Sequence, residues 1–176
     1  MERPIQITYL LFFFILITGF LSTQERWSYS AEEMEKTIIN GKEVRRLNEN
    51  VRFVKTDKVI LTDNASQYIK EDVLHLNGNT MMIINLDTLT CDSMIYWSKL
   101  DSVYAKGNIR YVHGPKRGIF GDEMEIQYQD SLVEMIRVFK NAFAYNDLNI
   151  RINKDGPYLY FRDEMTSKEM VANFEG

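Results

Sequence analysis

In VRFV (51–54) and IRYV (109–112) apolar and polar residues alternate. A two-residue period puts Val51 and Phe53, and likewise Ile109 and Tyr111, on one side of a strand, with Arg52 and Arg110 on the other. From Gly41 onward the chain keeps this texture: short runs rich in Val, Ile, Thr, Tyr and Phe, broken by Asn, Asp and Gly. That is the pattern of strands and turns. No stretch of it has the apolar period of a long helix. The predicted fold class is therefore all-β, antiparallel hairpins stacked in order, each with one dry and one wet face.

The hairpins repeat. HLNGNTMMI (75–83) has a worn copy in AKGNIRYV (105–112), and Asn50, Asn79 and Asn108 follow one another at intervals of 29 and 29 residues. A second marker runs in step: ILTD, LTCD and IFGD place Asp63, Asp92 and Asp122 at intervals of 29 and 30. A fourth copy begins in KNAFAYN (140–146), 33 residues after the third, and a fifth in SKEMVANFEG, where Met170 and Phe174 are spaced like Met124 and Tyr128. Such self-similarity marks an array whose units bury their apolar faces against their neighbours. Equal spacing assigns the three aspartates a repeated turn or strand-end role, since a catalytic or calcium-binding pair has no reason to recur in every unit. The loops at 113–118 (HGPKRG) and 153–157 (NKDGP) carry the residues of turns.

Ahead of the array, residues 1–22 hold an unbroken apolar run from Tyr9 to Ile17, extending loosely to Leu21, with Arg3 and the free amine before it. This is an export segment and an expected apolar helix. A core of about 7–15 residues suits a signal peptide, whereas a spanning helix needs about 20. No A-x-A-like site follows, which favours an uncleaved anchor over residues 5–21, so both outcomes stay open. Residues 23–40 read as a polar spacer, in which Ser30 and Glu33 fit the capping box of one short helix. The β domain then occupies 41–176 and stops on the approach to a strand, leaving an edge to be paired or a continuation in a longer protein.

Composition narrows the chemistry. The chain has 176 residues, 45% hydrophobic and 26% charged, which suits one folded domain; its formal net charge of −4 gives no overall basic field for nucleic acid. Cys91 is the sole cysteine and reads as a small buried residue. His75 and His113 fall at dissimilar places in the repeat and read as surface or turn residues. With no zinc spacing, phosphate-cradling loop or nucleophile elbow in the sequence, no catalytic residue, metal or cofactor is expected. Basic residues in RRL (45–47) and KRG (116–118) are either contacts for lipid phosphates or solvated loops.

GKEVRRLNENVRF, the repeated L-x-x-G-N and L-x-G-N steps, LTDNASQY, CDSMIYW and the closing M-x-A-N-F-E-G give residues 41–176 their family likeness. The chain resembles the OstA-like proteins, periplasmic components of lipopolysaccharide transport (Lpt). The resemblance implies a twisted antiparallel β-jellyroll, or β-taco, folded over on itself, with the acyl chains of lipid A on its inner face. It implies a non-enzymatic carrier in the periplasm that binds lipopolysaccharide, pairs edge to edge with other OstA-like proteins, and bridges inner to outer membrane. On that reading the lipid-binding inner face comprises Val51, Phe53, Leu61, Leu74, Leu76, Met82, Ile109, Tyr111, Met124 and Ile126. Methionines 81, 82, 94, 124 and 135 would make that face compliant. Two rivals are kept: a structural or adhesive β-repeat protein with a closed core and no ligand, and a carbohydrate-active enzyme on a β-helix, which needs two clustered acids.

Overall fold

The computed structural model describes residues 27–151 and 158–174. Ten strands run through them: β1 (Ser28–Ser30), β2 (Glu33–Ile39), β3 (Lys42–Lys55), β4 (Lys58–Tyr68), β5 (Val73–Ile84), β6 (Asp87–Trp97), β7 (Ser102–His113), β8 (Arg117–Gln129), β9 (Leu132–Arg151) and β10 (Tyr158–Asn173). They form one antiparallel, unclosed sheet in sequence order, with β1 and β2 both paired to β3. The described residues contain no helix, and so none long and apolar enough to cross a membrane. The expected N-terminal helix lies outside them, as does the 153–157 turn.

The expected spacer over 23–40 is corrected in its described part. Ser30 and Glu33 do not cap a helix, because Glu33 opens β2, where Met34 pairs with Leu47 and Thr37 with Val44. A capping signal is local, and the long ladder of β3 offers MEKTII more hydrogen bonds than an isolated turn of helix could.

The Asn marker explains the architecture. In β3, β5, β7 and β9 two successive residues turn left-handed at mid-strand: Glu49–Asn50, Gly78–Asn79, Gly107–Asn108 and Lys140–Asn141. At each the register slips, so the pair of residues faces one residue on the following strand, the arrangement of a β-bulge. Bulges at one level bend every strand at the same place. The bend can be measured from β5, whose last residue Ile84 pairs with Lys58 and whose first, Val73, pairs with Trp97. Twelve straight residues would separate those ends by about 36 Å. Instead, Lys58 Nζ sits 2.6 Å from Asp101 Oδ1, just beyond Trp97. The two halves of the sheet therefore face each other.

Their facing sides are the core. Alternation holds as expected: Val51, Phe53, Ile109 and Tyr111 are buried, and Arg52 and Arg110 are exposed. Burying each large apolar side chain contributes roughly 1.5–3 kcal/mol, and this repeats on nearly every strand.

Candidate functional site

Residues paired directly across neighbouring strands share a face, so the register lays the apolar residues out in rungs. One rung runs Phe53, Ile60, Met82, Leu89, Tyr111, Ile119, Ala144, Met165. Its counterpart on the other half runs Leu47, Ala65, Leu76, Met94, Ala105, Met124, Val138, Met170. The face is continuous from β3 to β10.

Nine of the ten residues expected to line it are there: Val51, Phe53, Leu74, Leu76, Met82, Ile109, Tyr111, Met124 and Ile126, none more than 3% exposed. Leu61 is corrected to the outer face, where it pairs with Met81 and is 37% exposed. Val59, Ile60 and Leu61 are all apolar, so alternation alone could not choose between faces, and pairing with Phe53 and Met82 selects Ile60. Met81 and Met135 are also outer-face residues, leaving Met82, Met94 and Met124 within.

Across β3–β8 the facing side chains close on one another. Towards β9 and β10 the rungs shrink to Ala142, Ala144 and Ser167, and inner-face residues of β10 stand open: Phe161 is 49% exposed, Met165 59%. A cleft of about 240 Å³ lies here, with Tyr111, Ile119, Ala144, Met165 and Phe174 among its lining residues. Two residues beyond the apolar rung, and so on the same face, runs a polar one: Asp87, His113, Arg117, Asn146, Asp163. His113 Nδ1 is 2.6 Å from Asp87, and Arg117 Nε donates to Asn146 at 3.3 Å. Sequence reading missed this open end. Its signal is the run YFRDEM, whose Phe161, Asp163 and Met165 share one face in period two, apolar at both ends and polar between.

The two lips of the bent sheet meet along a seam. Lys58, buried, holds both carboxylate oxygens of Asp101 at 2.6 and 2.7 Å, and Tyr96 donates its hydroxyl to the same carboxylate at 2.6 Å. Trp27 Nε1 donates to Ser98 at 2.9 Å, and Asn85 Nδ2 to the Ser131 carbonyl at 3.3 Å. Burial pushes the pKa of the Tyr96, Tyr111 and Tyr128 hydroxyls well above the usual phenol value, reinforced by nearby Asp101 or Asp87, so all three are neutral donors. The Cys91 thiol on the inner face is pushed up to about 12 by burial and by Asp92.

Asp63, Asp92 and Asp122 do not converge. They step along the sheet one hairpin at a time, each accepting from the Asn of the following bulge. Among the described residues no group of three or more His, Cys, Asp or Glu is placed to hold a metal ion. No protein-family model matches the chain, and no curated protein matches it.

Proposed function

We propose that this protein is a cell-envelope carrier or scaffold of OstA-like type, a β-jellyroll holding lipopolysaccharide or a related amphiphile by its acyl chains. The observation that carries the reading is the apolar inner face, continuous from β3 to β10 and open at β9–β10 into the cleft beside Met165 and Phe174. Each methylene moved from water into such a cleft contributes roughly 0.8 kcal/mol. In this reading the protein works in the periplasm, exported by residues 1–22 and held at the inner membrane if 5–21 stay uncut. Strand addition at β10 joins it to other OstA-like proteins in a bridge to the outer membrane.

A second reading, a structural β-repeat without ligand, is favoured by one observation: the apolar inner residues of β3–β7 are buried. Photo-crosslinking separates the two. A photoreactive residue at Met165, in the full chain expressed in a Gram-negative host, should yield a lipopolysaccharide adduct that a residue at Arg52 on the outer face does not. Folded, exported protein with no adduct at Met165 would give the structural reading the lead.

A further inference from the structure

The interior that the carrier reading needs is closed over most of its length, and the way it is closed differs from the way the sheet is built. Within the sheet every strand is laddered to its neighbours by backbone hydrogen bonds. Turns along one lip are also laced by backbone: Gly114 N to Leu86 O at 3.1 Å on one, Tyr128 N to Asp101 O at 3.0 Å on the other. Across the seam, the hydrogen bonds among the described residues come from side chains: Lys58 to Asp101, Trp27 to Ser98, Asn85 to Ser131. Each lip can thus move as a unit without breaking a ladder. The line of left-handed bulges at the bend supplies the hinge.

From this we propose that the seam is a lateral gate, latched by the Lys58–Asp101 pair, which parts to admit an acyl chain sideways into the interior. The proposal rests on the carrier reading for what passes, but the motion itself does not. Two of the crossing contacts have similar sequence offsets, 43 residues for Lys58–Asp101 and 46 for Asn85–Ser131, while Trp27–Ser98 spans 71 because β1 pairs with β3; all three join the same two lips, so the seam runs along the sheet as one line. Lys58 is buried and Asp101 partly so, and a charged pair withdrawn from water in this way costs desolvation that hydrophobic packing would not, and is best attested where it sets a register or a switch. Here it stands at the one boundary with no ladder across it. An amphiphile binding only the parted state would draw the equilibrium towards it.

Cys91 supplies a reporter, being the only thiol and buried on the inner face. Its alkylation by N-ethylmaleimide, located by peptide mass, should proceed under native conditions with little dependence on dilute urea. Asp101→Asn, which leaves Lys58 with half a latch, should speed it at least tenfold. Bridging Asn85→Cys to Ser131→Cys by oxidation or a short bifunctional reagent should slow it at least tenfold. If Cys91 reacts in every form only with the steep urea dependence of global unfolding, or the bridge changes nothing, the gate is overturned. The same proteins are then offered lipid A in phosphatidylcholine vesicles. Uptake lost on bridging and regained on cleavage supports the gate; equal uptake with the bridge in place refutes it and leaves the carrier standing. A seam that opens by the thiol measure in a protein that takes up no lipid A supports the motion and sinks the carrier reading.

Discussion

Asn79 donates its side-chain amide to Asp63 at 2.8 Å, from the bulge of β5 back to the strand before it. Asn108 does the same to Asp92 at 2.9 Å, Asn141 to Asp122 at 2.6 Å, and Asn50 reaches Glu32. The two markers that repeat in the sequence are thus the two halves of one device, which pins each bulge at the bend. Gly78 shows how closely it fits: its φ is +79°, and an added Cβ would lie 2.5 Å from Asp63 Oδ2. Glu49 and Lys140 occupy the matching position in β3 and β9, so a left-handed side chain is tolerable at those bulges. Gly78→Ala should therefore lower unfolding free energy by about 1–3 kcal/mol. Asp63→Ala, which strands only an exposed amide, should cost about 1 kcal/mol or less. Urea denaturation of the two variants checks the order, and equal values would discount the packing of Asp63 on Gly78.

The seam gives a second expectation. Tyr96→Phe removes the hydroxyl donated to Asp101 while keeping the ring, which packs edge-on to Trp27 at 5.6 Å. Losing one hydrogen bond to a partly buried carboxylate should destabilise by about 1.5–3 kcal/mol. A denaturation midpoint equal to that of the parent would mean that Lys58 alone satisfies Asp101.

The bend was the part of this fold that periodicity could not deliver. Alternation in VRFV and IRYV identified the dry face, and the 29-residue interval identified the hairpins, because both are properties of neighbours in sequence. The contact of Lys58 with Asp101 joins residues 43 apart, through a conformation that only the paired left-handed residues impose. Asn after Gly hints at such a conformation, but reads equally as a hairpin turn. For that reason the sequence predicts a turn or strand-end role for the aspartates, whereas they sit opposite bulges at mid-strand. Leu61 fails for a simpler reason, three consecutive apolar residues, and β2 because its partner lies across a turn.

Acid should act in two separate windows. His75 packs on Tyr68 with ring centroids 4.8 Å apart, and partial burial lowers its pKa below the ordinary imidazole value of 6.5. The unfolded chain then binds a proton more readily than the folded one, so stability is lost as pH falls through about 6.5 to the lower folded pKa. Glu71 and Glu123 have pKa values lowered chiefly by hydrogen bonds from Lys42 and Lys140, so their stabilisation disappears only as pH falls below about 4.5. His75→Phe keeps a ring against Tyr68 and should flatten the upper window alone. Urea midpoints at pH 7.5, 6.0 and 5.0 for both proteins test this, and parallel profiles would assign the upper loss to another group.

The closed and open ends of the apolar face should respond oppositely to truncation. Phe53 is fully buried among Ile60, Tyr29 and Trp27, so Phe53→Ala leaves a cavity and should cost about 3–5 kcal/mol. Met165 belongs to the same rung seven strands along, yet stands largely in solvent, so Met165→Ala should change stability by no more than about 0.5 kcal/mol. If the open end exists to hold an acyl chain, the harmless substitution is the one that weakens lipid capture, and lipid should raise the melting temperature of the parent more than that of Met165→Ala. If the face is only a core that thins towards β10, the two proteins will melt alike with and without lipid. Stability and lipid response, measured on this one pair of variants, thus separate residues that hold the fold from residues that wait for a ligand.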